Sequence, residues 1–233
     1  MKKSITTLAA VFALGATSLQ ADELSISSTF AWESEYVFRG LQQAKSNFQP
    51  SIDLSYGPLY TGFWSMFPVR SDQSHLKEFN FYTGYQGRMN DWVNLDFGAT
   101  MYYYPNANIQ STQLEPYFGG VFEAPLSPTV YFYHNFRNND TTLEASIGHG
   151  IDLGNQYDLH LGGHFGHVWR SSGTKDYAYA GASADLSYSF TEWARGSVGV
   201  RFTANDLSAS DPELQGISVT SNLWWGFSFT AGF

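Results

Sequence analysis

The sequence predicts an all-β chain closed into one antiparallel transmembrane β-barrel of about twelve strands, and three observations carry that reading. The final stretch, Asn222 to Phe233, alternates: Leu223, Trp225, Phe227, Phe229, Ala231 and Phe233 share one face, with Trp224, Gly226, Ser228, Thr230 and Gly232 on the other. A strand repeats its direction every two residues, so one face is apolar and the other mostly small and polar. Eleven earlier segments show the same period, and the joints between them sort by parity into short and long. After the first 21 residues no stretch reaches the roughly 18 consecutive apolar residues that a membrane helix needs, so a membrane-embedded form of this chain crosses as strands.

In chain order the segments run 24 to 38, 47 to 56, 59 to 69, 76 to 87, 92 to 104, 112 to 123, 128 to 137, 142 to 153, 157 to 169, 177 to 190, 194 to 203 and 222 to 233. Joints after the even-numbered segments are short: Gly57-Pro58, Arg88 to Asp91, Ala124 to Ser127, Gly154 to Gln156 and Thr191 to Trp193. Those after the odd-numbered segments are mostly longer and polar: Arg39 to Ser46, Arg70 to His75, Pro105 to Ser111, Arg170 to Asp176 and Asp206 to Ser221. An even number of strands with tight turns at one end and longer loops at the other is the plan of an outer-membrane barrel. Closure follows because lipid leaves no backbone group a partner outside the sheet. A soluble β-sandwich gives no reason for its joints to sort by parity.

Individual segments orient with different clarity. The fifth separates Val93, Leu95, Phe97, Ala99, Met101 and Tyr103 from Asn94, Asp96, Gly98, Thr100, Tyr102 and Tyr104. The tenth separates its alanines, Leu186, Tyr188 and Phe190 from Gly181, Ser183, Asp185, Ser187 and Ser189. The third, Leu59 to Val69, is aromatic on both faces and gives no orientation. In the eighth, His149 falls on the face of Leu143, Ile147 and Ile151, which either a bulge turning it inward or a different phase would relieve. Tyr56, Trp92, Tyr157, Phe190, Trp193 and Phe233 lie beside the short turns, and Tyr36, Phe38, Phe48, Phe67, Phe136 and Trp169 near the long loops, as two interfacial girdles would be placed. Aromatic content of 18% with hydrophobic content of only 43% suits strands whose alternate residues meet lipid.

The N-terminal end reads as a secretory leader. Lys2 and Lys3 precede an apolar run from Leu8 to Leu14 and small residues to Ala21, placing a cleaved signal peptide at 1–21 and the barrel domain at 22–233. A last strand ending on aromatic Phe233 is similar to the ending of bacterial outer-membrane barrels, which their barrel-assembly machinery is thought to read. The expected location is therefore the outer membrane of a Gram-negative bacterium, with outer-membrane lipid as partner and both termini in the periplasm. A formal net charge of −9, which loss of the leader makes more negative, argues against a nucleic-acid partner. With no cysteine, disulfides, thiolate metal sites and cysteine nucleophiles are excluded.

Ser34 to Gly40 reads S-E-Y-V-F-R-G, Tyr102 to Pro105 reads Y-Y-Y-P, and Glu78 to Tyr85 reads E-F-N-F-Y-T-G-Y. In this order and spacing the chain from Ser34 onward resembles the TorF-type porin family of bacterial outer-membrane barrels. The resemblance implies a barrel and a pore; it implies no substrate.

Turning the polar phase inward places Glu33, Glu35, Arg39, Asp53, Glu78, Asp96, Glu115, Glu144, Asp158 and Asp185 in the lumen, facing Arg137, Arg195 and Arg201. Charges on a lipid face cost about 2–4 kcal/mol near the midplane, so their recurrence in one phase supports an aqueous interior. The acidic surplus points to a passive channel for small hydrophilic solutes or ions with a cation bias. The alternatives are a non-conducting structural or adhesion barrel acting through its outer loops and, behind that, a lipid-modifying enzyme. For the enzyme, His160 and His164 share a face near Asp158, and Ser74 adjoins His75, but no nucleophile motif is present. Two histidines four apart on a strand sit about 13 Å apart, too far for one ion. The loop from Asn205 to Ser221, with Asp206, Asp211 and Glu213, lacks the spaced acid pattern of a calcium loop. No metal, cofactor or catalytic residue is expected.

Overall fold

The computed structural model describes residues 24–106, 111–171, 175–208 and 220–232; the expected leader, Phe233 and the interior of the loop after Asn205 lie outside them. Twelve strands follow in order: β1 (Leu24–Phe38), β2 (Leu41–Tyr56), β3 (Leu59–Pro68), β4 (Glu78–Arg88), β5 (Val93–Tyr103), β6 (Thr112–Phe122), β7 (Thr129–Asn135), β8 (Asp140–Gly154), β9 (Tyr157–Trp169), β10 (Tyr177–Ser189), β11 (Ala194–Asn205) and β12 (Ser221–Gly232). Each pairs antiparallel with its sequence neighbours, and β1 pairs with β12, so the sheet is a closed barrel. At the seam Thr29 opposes Thr230 and their hydroxyls are 2.9 Å apart.

The period-two pattern becomes two surfaces. Leu223, Trp225, Phe227 and Phe229 of β12 are exposed on the outside, whereas Asn222 and Trp224 are buried inside. His149 lies on the outer face, exposed and opposite Leu161 in an unbroken register. The irregularity in that strand falls later, between Asp152 and Gly154, so neither an inward turn nor a phase change occurs at His149. In β3, Leu59, Phe63 and Phe67 sit on the outer phase and Tyr60, Trp64 and Met66 on the inner one, so its two aromatic faces serve different surroundings.

Inside, large side chains lie over glycines directly across the ladder. Tyr82 opposes Gly62, Tyr60 opposes Gly84, Tyr117 opposes Gly98, Tyr131 opposes Gly119 and Tyr179 opposes Gly166. A Cβ added at Gly119 would lie 2.6 Å from the Tyr131 Cγ, and Cβ atoms at the other four would also collide with their facing rings. Removing one side chain thus lets its cross-strand neighbour lie along the wall rather than project into the bore.

One segment leaves the wall. β1 pairs with β12 only as far as Glu33 opposite Gly226, and β2 pairs with β3 only from Asn47 opposite Pro68 onward. Yet β1 and β2 stay paired with each other up to Phe38 opposite Leu41. Residues 34–46 therefore form a hairpin that leaves both neighbouring ladders, with the Val69 N–H to the Ser46 carbonyl at 2.8 Å as the last tie toward β3. A register shift between Tyr36 and Val37 bends it, and Ser34 Oγ accepts a 3.0 Å hydrogen bond from Trp225 N–H, which the departing strand no longer serves.

The hairpin tip is Arg39-Gly40, with φ of 47° and 77°, the two positive angles of a tight turn whose twist matches its strands. The polar loop expected from Arg39 to Ser46 is accordingly a continuing strand after a two-residue turn. The tip touches the opposite side of the barrel. Leu41 packs among Val168 of β9, Tyr177 and Tyr179 of β10, and Leu207. Asn205 Nδ2 donates to the Gly40 carbonyl at 2.8 Å. On its other side the hairpin sets Tyr36 and Ala44 against Met66, with Trp64 and Leu76 packed around them. Only a path through the bore reaches these strands from β1. Tyr36 and Phe38, expected in an interfacial girdle, are consequently inside.

Two outcomes test this architecture. Gly119→Ala should lower unfolding stability in urea by roughly 1–3 kcal/mol through overpacking against Tyr131. Gly120→Ala should leave it unchanged, because a Cβ there meets nothing closer than 3.6 Å. Because the chain has no cysteine, spin labels at Lys45→Cys and Lys175→Cys report one distance; a single narrow distribution is expected, broadened when Leu41→Asp puts a charge into its apolar pocket. A broad distribution in the parent pair contradicts the docked hairpin.

Candidate functional site

The bore carries paired acids and phenols. Strand alternation turns Glu33, Asp53, Glu78, Asp96, Glu115, Glu144 and Asp185 inward, and all but half-buried Asp53 are buried. Tyrosine hydroxyls hold most of them. Asp96 accepts from Tyr60 at 2.6 Å and from Tyr131 at 2.7 Å. Tyr82 donates to Asp53, Tyr179 to Glu144, and the Tyr60 and Tyr117 hydroxyls share a hydrogen bond. Glu78 accepts 2.8 Å from Asn80 Nδ2 and lies 3.5 Å from the Tyr36 hydroxyl on the hairpin. A carboxyl group in this setting is fixed by donors on other strands, so its oxygens stay at a set point of the wall.

Arginines complete two of these groups. Arg201 of β11 lies between Glu33 and Asp185, with Nη1 3.3 Å from Glu33 Oε2 and Nη2 2.7 Å from Asp185 Oδ1. Arg39, at the hairpin tip, meets Glu115 of β6 as a fork: Nη1 donates to Oε2 at 2.9 Å and Nη2 to Oε1 at 2.7 Å. In the barrel order β1 and β6 stand on opposite sides, so this pair spans the bore. Tyr102 also donates to Glu115 Oε1 at 2.9 Å, and the Arg39 guanidinium carbon lies 4.8 Å from the Tyr133 ring centre and 4.7 Å from that of Phe38. Both partners are largely out of water, with side-chain exposures of 13% and 2%. Removing one partner of such a pair leaves a desolvated charge at a cost of about 3–5 kcal/mol.

The remaining expected site residues divide. Glu35 is half-buried on the hairpin opposite Lys45, with Oε2 free of hydrogen-bond partners. Asp158 and Arg195 are half-buried on the inward phase near the short-turn end. Arg137 does not line the bore. It lies exposed in the β7–β8 turn, where its N–H and that of Asn138 cap Asn135 Oδ1, because β7 ends at Asn135 rather than running on.

The residues weighed for catalysis are spread apart. Ser74 and His75 are exposed in the β3–β4 loop. His160 faces inward opposite Asp185, and His164 lies over Gly181. Among the described residues no three His, Cys, Asp or Glu come together as metal ligands. Sequence reasoning missed the tyrosines that hold the acids and the hairpin that crosses the bore. The signal for the hairpin was present: Arg39-Gly40 is a turn dipeptide between alternating strands.

Solved structures of similar shape include the KdgM porin, at 12% identity over 90% of this chain and 99% of that one, with a TM-score of 0.59. The NanC porin matches at 9% identity over 88% of this chain and 98% of that one, with a TM-score of 0.58. A KdgM porin "in complex with disordered oligogalacturonate" matches with a TM-score of 0.59 at 12% identity, again covering 90% and 99% of the two chains. At these identities the likeness is one of fold. No curated protein matches the sequence. The family model described as "Bacterial protein of unknown function (Gcw_chp)" matches residues 19–212, and the chain belongs to that family.

Proposed function

We propose that this protein is an outer-membrane porin, a passive channel for small hydrophilic solutes or ions with a cation bias. The observation that carries the reading is the contrast between surfaces: an exterior of exposed Leu, Phe, Val and Trp around an interior of ordered acids and phenols. Inward carboxylates outnumber inward guanidiniums among the described residues, so the bore repels anions and concentrates cations. Tyrosines folded over glycines keep bulk at the wall, which suits a bore that holds solute. The barrel fold shared with KdgM and NanC, and the TorF-type likeness of Ser34 to Gly40, support the same reading.

The chain acts without cofactor or catalysis in this reading. Its short turns and both termini face the periplasm, and its last strand engages the barrel-assembly machinery. A second reading, the non-conducting barrel acting through its outer loops, is favoured by one observation: the hairpin that spans the bore.

Single-channel recording in a planar bilayer under a salt gradient tests the proposal. Discrete steps with a cation-selective reversal potential are expected, and Glu35→Gln with Asp53→Asn should move that potential toward zero without unfolding the barrel. Unchanged ion preference removes those two residues from the path. Silence from protein shown to be folded favours the closed barrel.

A further inference from the structure

Apart from the adjoining Phe38 ring, the Arg39 surroundings are made by strands other than its own. Glu115 belongs to β6, Tyr102 to β5 and Tyr133 to β7, whereas Arg39 arrives at the end of the inward hairpin. The wall thus supplies a carboxylate fork of 2.7 and 2.9 Å, a phenol on the same carboxylate, and a ring face 4.8 Å from the cation. A planar fork against a carboxylate, with an aromatic face beside it, is the recognition geometry of a guanidinium.

Two buried groups on the strands flanking the site, two strands away on either side of Glu115, lack hydrogen-bond partners. Thr142, 1% exposed and opposite Tyr133, has an Oγ1 with no hydrogen bond. Asn80, 1% exposed and opposite Tyr102, has a free Oδ1. Both are on the inward phase, one on each side of the Tyr102, Glu115 and Tyr133 group. A buried acceptor without a donor is costly, so the walls flanking Glu115 retain unused hydrogen-bonding capacity.

We propose that this wall site binds soluble organic cations with a terminal guanidinium, and that Arg39 is its tethered resident. A free cation of this class displaces Arg39, and the hairpin loses its ion pair to β6 while Leu41 and the Gly40 carbonyl keep their contacts. The proposal rests on the channel reading only for how solute reaches the site. As an intramolecular ligand, Arg39 competes at an effective concentration in the millimolar range, so a free solute binds weakly while Arg39 is present.

The experiment is calorimetric titration of methylguanidinium into the full chain in detergent micelles, with bilayer currents recorded on the same preparations. Arg39→Ala should bind methylguanidinium at least about tenfold more tightly than the parent chain, the competitor having been removed. Adding Glu115→Gln should abolish the gain. Binding no tighter in Arg39→Ala, or a gain that survives Glu115→Gln, overturns the site. Arg39→Gln, of similar length and uncharged, serves if the alanine variant fails the heat-dependent gel shift of a folded barrel, with the same two outcomes. Current without a gain in binding rejects the site and keeps the channel; a gain in binding without current keeps the site and rejects the channel.

Discussion

Backbone pairing across the seam between β1 and β12 is the constraint on which the rest of this barrel depends. In hydrocarbon every N–H and C=O must find a partner inside the protein, and a sheet meets that demand by closing. Here the ladder from Ser27 opposite Gly232 to Glu33 opposite Gly226 joins the two ends of the described sheet. Above Glu33 β1 abandons the seam and travels inward with β2. It can do so because the bore offers polar partners that lipid does not: Ser34 Oγ covers Trp225 N–H, and Asn205 serves the Gly40 carbonyl. The same strand both closes the barrel and partitions it.

Within the bore, two arrangements hold the inward acids. Glycine across from each of five tyrosines lets the ring lie against the wall. That posture brings the phenol of Tyr60, Tyr82, Tyr131 and Tyr179 onto a carboxylate of another strand. A separate set of inward carboxylates, Glu115, Glu33 and Asp185, pairs with the cations that the chain itself provides, Arg39 and Arg201. Arg201 is a wall residue and ties neighbouring strands together. Arg39 differs because it reaches across the bore, so its ion pair ties the inward hairpin to the far wall rather than one wall strand to the next.

The barrel was legible in the sequence because period-two alternation reports which face points out of the sheet, and the parity of joint lengths reports which end carries the tight turns. β12 and β5 could be phased residue by residue for that reason. β3 could not, because its inner face meets the apolar side of the hairpin, where Trp64 and Met66 pack on Tyr36 and Ala44; two apolar surfaces erase the alternation. Arg39 to Ser46 reads as a loop because its polar residues, Gln42, Gln43 and Lys45, belong to a strand inside the barrel, which carries no outward apolar face. Arg137 falls on the inward phase only if β7 runs past Asn135, and the Asn135 side chain caps the turn there instead. The acids were visible one by one, but their tyrosine partners come from strands distant in sequence and follow from the register alone.

The central claim is that the hairpin of residues 34–46 spans the bore and limits passage through it. Its most direct test is the single-channel conductance of the parent chain beside a variant in which Tyr36 to Ala44 is replaced by Asn-Gly, joining the two strands at the level of the wall. The structure predicts a several-fold larger conductance in the shortened chain. Equal conductance from two folded barrels would contradict the claim.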